Sequence, residues 1–222
     1  MSSKGPKQAL FAQFALVAKT LGHPHRLELL EQLAQGERSV DELAEKTGLS
    51  VANASQHLQR MSRAGLVANH RDGKFVHYRL TDDAVLEALA SVRKIAEKNV
   101  AEVERVVRGY FDQRDSFEPV SRKELLKRSR AGTVTILDVR PADEFALGHL
   151  PGALNIPLKA LEARLSEFKR SKEIIAYCRG PYCVLSYEAV AALRKRGFTV
   201  RRLEDGFPEW RAAGLPFATG DA

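Results

Sequence analysis

Tyr177-Cys178-Arg179-Gly180-Pro181-Tyr182-Cys183-Val184 holds both cysteines of a 222-residue chain. Before it, Glu173-Ile174-Ile175-Ala176-Tyr177 is apolar, β-branched and aromatic, the composition of a short buried strand. After it, Val184, Leu185, Ala189, Ala192 and Leu193 recur at helical spacing as far as Arg196, and Gly197 stops the run. A strand, a tight Gly-Pro turn and a helix put Cys178 at the rim of a sheet, beside a helix N-terminus where backbone N–H groups converge and favour an anion. A thiol so placed has its pKa lowered to about 3.5–7.5 and reacts as a nucleophilic thiolate. A buried structural cysteine is the plainer alternative; the turn and the following helix favour the nucleophile.

Outward from this loop, strands and helices alternate. Ser121 and Glu124 begin a capped helix, and Thr133 to Val139 reads as a strand. Leu154 to Ile156 is a second short strand, Leu158 to Phe168 a helix, and Phe198 to Leu203 a further strand. Gly206-Phe207-Pro208-Glu209-Trp210 opens a terminal helix, with Trp210 in the core. This order predicts an α/β domain with a mainly parallel sheet covered on both faces. Ligands of such sheets sit at the carboxyl ends of the strands, where Cys178 lies.

Three chemistries compete for Cys178. A cysteine phosphatase clamps its substrate with an arginine at the position held here by Val184, and Tyr177 stands where its histidine belongs. A thioredoxin-like redox pair is Cys-x-x-Cys, not Cys-x-x-x-x-Cys. Persulfide chemistry needs only a low-pKa thiol, converging N–H groups and room for one more sulfur. Arg179 would then attract an anionic donor. Cys183 is either a bystander or a second thiol that attacks a Cys178 persulfide. A direct bridge requires Cα atoms within about 7 Å.

The loop resembles that of the rhodanese (sulfurtransferase) family. The resemblance extends to Ile136-Leu137-Asp138-Val139-Arg140, Glu144-Phe145, Gly148 to Pro157 and Gly206 to Trp210, and covers about the last hundred residues. It implies that Cys178 carries a sulfane sulfur as a persulfide, within a loop completed by Arg179, Gly180, Pro181, Tyr182 and Cys183. It also makes Asp138, Arg140, Glu144 and His149 structural pairs around the sheet edge rather than an acid/base set.

The first half has a different grammar. Leu10, Phe11, Phe14, Ala15, Val17, Ala18 and Leu21 form one apolar helix face closed by Gly22; Pro24 opens the next helix, which carries Leu27, Leu29, Leu30 and Leu33. Ser39-Val40-Asp41-Glu42 is a capping box for a helix to about Thr47. Gly48-Leu49 turns the chain, Ser50 caps a helix from Val51 to Ala64, and Gly65 ends it. Two short helices about a Gly-containing turn make a helix-turn-helix. Leu66 to His70 and Phe75 to Leu80 then read as strands around an Asp-Gly turn, a wing.

On the second helix of the motif Ala54, Leu58 and Met61 face inward, leaving Asn53, Ser55, Gln56, His57, Gln59 and Arg60 largely outward. Such a face is equipped to read base edges and hold phosphates. The candidate DNA contacts are these six residues, Ser50 at the cap, and Arg71 and Lys74 on the wing. Residues 21–80 resemble the ArsR family of winged-helix repressors, through Gly22-His23-Pro24-His25-Arg26-Leu27, Ser55-Gln56-His57-Leu58, Ala64-Gly65-Leu66-Val67 and the wing. Its metal-sensing members carry a Cys-x-Cys where this chain has Val40 to Ala44. His23 and His25 lie two apart across a proline, so no metal and no cofactor are expected.

A helix predicted over 82–111, with Val85, Leu86, Leu89, Val92, Ala96, Val100, Val103, Val107 and Tyr110 at three- and four-residue steps, is long for so small a domain. Its apolar face suits a twin copy, and the family resemblance places first and last helices at a dimer interface. Two-fold pairing sets recognition helices about 34 Å apart on a near-palindromic DNA site.

The net charge of +7 is uneven evidence, because residues 1–115 hold 17 Lys+Arg against 15 Asp+Glu. Locally, Ser50 to Arg79 carries Arg60, Arg63, Arg71, Lys74 and Arg79 against the single acid Asp72. No run approaches the roughly 18 apolar residues of a membrane span. The N-terminus lacks a signal peptide's apolar stretch, and two cysteines in one loop are no disulfide framework. A cytoplasmic location is therefore expected, with no membrane partner.

The expected organisation is a mostly-α winged helix-turn-helix over 1–111, a linker over 112–119 and a rhodanese-like domain over 120–222. The function expected is a homodimeric regulator, a repressor of double-stranded DNA targets, that senses reactive sulfur or redox state through Cys178. Its small partner would be a sulfur donor such as thiosulfate or a persulfide. The alternative is an active sulfurtransferase with an attached DNA-binding domain.

Overall fold

The computed structural model describes residues 5–111, 113, 115 and 118–220. The chain divides into two compact units, Met1–Ala90 and Ser91–Ala222.

The first unit contains α1 (Pro6–Leu21), α2 (Pro24–Gln35), β1 (Arg38–Ser39), α3 (Val40–Thr47), α4 (Val51–Arg63), β2 (Val67–Asp72), β3 (Phe75–Leu80) and the start of α5 (Ala84–Asn99). Local chemistry sets the boundaries. Ser39 and Glu42 form the expected capping box, each accepting from the other's backbone N–H. Gly48 takes the left-handed conformation that stops α3. Ser50 caps α4 by accepting the Asn53 N–H at 3.3 Å. Leu29, Leu30, Leu43, Ala54, Leu58 and Met61 are fully buried where the helices meet. The wing is antiparallel, closed where Asp72 faces Phe75, and β1 adds a third strand beside β3 that the sequence did not predict.

The second unit begins within α5 and continues through α6 (Ala101–Val106), a π-helical turn (Val107–Phe111), α7 (Arg122–Arg130) and β4 (Val134–Asp138). There follow α8 (Ala142–Leu147), β5 (Leu154–Asn155), two 3₁₀ turns, β6 (Glu173–Tyr177), α9 (Val184–Lys195), β7 (Val200–Arg202) and α10 (Phe207–Ala212). The four strands run parallel in the order β5-β4-β6-β7. Residues alternate across β6 as a pleated strand requires. Ile174 and Ala176 join Leu137, Ala189, Val190 and Leu193 on one face. Ile175 and Tyr177 join Phe145, Phe207 and Trp210 on the other. Both faces are thus covered, as an α/β sheet demands.

Two expected helices are different. The 82–111 segment is interrupted at Val100, whose backbone is extended (φ −111°, ψ 104°). Periodicity could not show this, because Val100 keeps its place in the apolar stripe. Leu158 to Phe168 is not an α-helix but two 3₁₀ turns, Leu158–Ala160 and Glu162–Glu167, with a kink at Arg164 (φ −111°, ψ 17°). Within the 112–119 linker, Asp112, Arg114, Ser116 and Phe117 lie outside the described residues. No helix is long and apolar enough to cross a membrane among the described residues.

Candidate functional site

β6 delivers Cys178 to the carboxyl edge of the sheet, and Cys183 is the N-cap of α9. A disulfide joins them, with Cα atoms 6.1 Å apart, inside the range a bridge needs. Cys178 is 1% exposed and Cys183 8%. The loop is clamped from behind. Phe207 N–H donates to the Cys178 carbonyl at 3.1 Å, and Gly206 lies so close that an added Cβ would stand 2.3 Å from the Arg179 and Gly180 backbone. Gly206 is therefore required by close approach of two backbones.

Arg179 is not a free anion attractor. Its Nε and a terminal nitrogen donate to the fully buried Glu144 carboxylate at 2.8 and 2.7 Å. The expected role in steering an anionic donor is corrected accordingly, since the bidentate pair spends the guanidinium on structure. Asp138 and Arg140 form a second buried pair at 2.6 Å, and Arg140 also donates to the Gly148 carbonyl at 2.7 Å. His149 stacks on Phe145 with centroids 3.6 Å apart and contacts the Phe145 carbonyl at 2.9 Å. These residues brace the sheet edge.

The loop also holds the last turns of α5. Tyr182, between the two cysteines, lines a groove with Arg93 and Glu97 of α5; burial and the Glu97 carboxylate push its pKa up to about 12. Arg93 donates to Glu209 at 3.1 Å, and Glu209 caps α10 by accepting the Gly206 N–H at 3.1 Å. Phe111 packs on Tyr182 and Tyr187, at 5.2 and 4.7 Å between centroids. Arg202, buried, joins Asp115 at 3.2 Å to the Pro181 carbonyl at 3.2 Å. Of these, Glu209 lies in the Gly206 to Trp210 segment that the sequence pattern marks, though without a role of its own there; Arg93, Glu97, Asp115 and Arg202 come from segments distant in the chain, and nothing in their local pattern marks them.

On α4, Asn53, Gln56, Gln59 and Arg60 are exposed, as are Ser50, Arg71 and Lys74. Ser55 is half-buried and accepts from Gln59 at 3.2 Å. His57 departs from the expectation. It is 6% exposed and packs against His23, centroids 4.6 Å apart, so it cannot read a base edge in this conformation. Helical spacing put His57 near the boundary of the polar face, and the neighbouring α2 N-terminus covers it. Burial, followed by Arg26 for His23 and by His23 for His57, lowers both imidazole pKa values. Among the described residues no group of three or more His, Cys, Asp or Glu is arranged to hold a metal.

Residues 21–70 match a family described as a helix-turn-helix domain, and residues 121–213 match the rhodanese-like domain. The HTH-type transcriptional regulator Rv0324 of Mycobacterium tuberculosis is 42% identical over 214 residues, spanning 96% of this chain and 94% of that protein. The chain belongs to the HTH-type transcriptional regulators. The regulator is also 34% identical to a sulfurtransferase of Allochromatium vinosum, across 84 residues that span 37% of this chain and 77% of that one. A solved structure from Mycobacterium bovis, a homodimeric winged helix-turn-helix DNA-binding domain described as a possible ArsR-family regulator, is 36% identical. It covers 45% of the regulator and 93% of its own chain, with a TM-score of 0.41. From the two family matches and the Rv0324 relative, the regulator joins a helix-turn-helix domain to a rhodanese-like domain.

Proposed function

We propose that the regulator is a homodimeric repressor whose DNA affinity is set by the sulfur state of Cys178 and Cys183. One observation supports the reading: Tyr182 and Pro181 of the cysteine loop line one groove with Arg93 and Glu97 of α5, the helix that continues from the winged-helix unit, and Arg93 donates at 3.1 Å to Glu209, which accepts from Gly206 behind that loop. A change of bonding at the cysteines then acts on that helix directly.

The chemistry balances in two steps. A Cys178 thiolate attacks the outer sulfur of a persulfide donor, forming Cys178–S–SH and releasing the donor's thiolate. With thiosulfate the leaving group is sulfite. The Cys183 thiol then attacks the inner sulfur, forming the Cys178–Cys183 disulfide and expelling hydrosulfide and a proton. The Cα separation of 6.1 Å supports the second step. Arg60, Gln56, Asn53 and Gln59 on α4, with Ser50, Arg71 and Lys74, are the proposed DNA contacts; the exposed side chains support this assignment. The exposed apolar residues of α1, Phe11 (57%) and Phe14 (62%), support pairing through a second copy.

The alternative, a turning-over sulfurtransferase, is disfavoured by the same geometry. A Cys183 that closes on Cys178 diverts the persulfide before an external acceptor reaches it, and Arg179 is committed to Glu144. The test is intact-mass analysis of reduced protein after brief polysulfide exposure, beside a thiosulfate–cyanide assay. The sensor reading expects one bound sulfur in Cys183→Ser, a disulfide in the wild type, and negligible thiocyanate from either. Sustained thiocyanate production that is lost in Cys178→Ala would replace it with the enzyme reading.

A further inference from the structure

Arg26, in the first turn of α2, is 7% exposed. It donates to the Lys19 carbonyl at 3.2 Å, while its Nε is buried without an acceptor. Among the described residues no carboxylate pairs with it. The buried arginines of the second unit behave differently, since Arg140 holds Asp138 and Arg202 holds Asp115. A buried charge lacking a counter-charge is strongly unfavourable, and here the neighbours make it worse. Arg26 borders a groove of about 490 Å³ whose other polar lining includes Lys19, His23, Arg60 and Arg63, with no acid. Four of these five side chains are permanent cations, contributed by α1, α2 and α4.

We propose that Arg26, Arg60 and Arg63 form a seat for one tetrahedral oxyanion, a phosphate group. The chemistry of the lining selects it. Guanidinium forks from two helices converge on one groove, and such forks match phosphate oxygens through paired N–H donors. Arg60 and Arg63 are exposed, so the mouth is open to a phosphate carried on a larger molecule as well as to the free ion. A phosphodiester of bound DNA is one source, which rests on the DNA-binding reading above; free inorganic phosphate is the other, which does not.

Two measurements on the full-length reduced protein separate the sources. Inorganic phosphate is titrated by calorimetry at fixed ionic strength, and affinity for a mixed-sequence duplex is followed by fluorescence anisotropy across a salt series. Wild type is compared with Arg63→Gln, Arg60→Gln and, as a charge-matched control in the other unit, Lys195→Gln. For a phosphodiester, each arginine variant lowers the salt slope by about 0.9, the value of one phosphate contact, and Lys195→Gln leaves it unchanged. For the free ion, wild type binds one phosphate per protomer and both arginine variants weaken it about tenfold with the DNA slope unaltered. Variants that fold normally and change neither quantity would overturn the proposal. If the wild type binds no duplex, the DNA reading fails separately, and the phosphate titration alone decides.

Discussion

Gly206 and Arg179 show how much of the cysteine loop is decided by single atoms. A side chain at Gly206 meets backbone atoms of Arg179 and Gly180 at 2.3 Å, which no rotamer change relieves. Gly206→Ala is therefore expected to displace the loop, lowering Tm by several degrees, with about 4 °C lost per kcal/mol in a domain of this size. Thiol-reactive dye after reduction would also react faster than in the wild type. Glu144→Gln breaks a pair whose acidic member is fully buried; truncating such pairs costs about 3 kcal/mol, measurable by urea unfolding. The place of Cys178 was legible because strand, Gly-Pro turn and helix are local signals. The occupation of Arg179 was not, since Glu144 lies 35 residues away. His57 was misplaced for the same reason: its cover, His23, comes from another helix.

At the scale of elements, α5 and the loop line one groove through side chains that single substitutions can remove. Tyr182→Ala and Glu97→Ala each remove one side of the contact while leaving the cysteines in place. The loss of one such contact, about 1 kcal/mol, predicts that the DNA-affinity difference between reduced and disulfide states shrinks about fivefold in either variant. Disulfide formation, read by intact mass, should proceed as in the wild type. Tyr182 has its pKa raised to about 12 by burial and by Glu97. Its contribution to stability is thus complete below the unfolded value of about 10 and disappears as pH rises through about 12. The contact accordingly holds across the physiological range. A second cluster responds to acid. Burial raises the Glu173 pKa, but hydrogen bonds from Arg128 and Arg201 outweigh it and leave the carboxyl below its ordinary range. Its stabilising effect is present above the unfolded value of about 4.3 and is lost as pH falls through the lowered folded value. Glu173→Gln should flatten that part of the acid-unfolding curve. The strands and capped helices here were readable from period and caps. The break at Val100 and the two 3₁₀ turns were not, because neither changes the apolar pattern that sequence reading uses.

For the whole molecule, the hydrophobic grammar changes from wing and capped helices to alternating strands and helices, which points to two units, but the division falls at Ala90 and Ser91 inside α5 and not in the expected 112–119 linker. The apolar face of α1 was equally plain as a pattern, yet Leu10, Phe11 and Phe14 are exposed in the single chain. Pattern shows that a face is apolar without showing what covers it. If a second copy does, Phe11→Glu with Phe14→Glu should convert a sedimenting dimer to monomer and weaken duplex binding, with the second unit's melting unchanged. The central claim is that sulfur bonding at Cys178 and Cys183 sets the grip on DNA. Its most direct measurement is the affinity of full-length protein for its operator duplex, by fluorescence anisotropy, before and after polysulfide, in wild type and in Cys178→Ser. The account predicts a change of at least about tenfold in the wild type, equivalent to about 1.4 kcal/mol, and none in the variant. Equal affinities in all four samples, with the wild-type disulfide verified by mass, would contradict it.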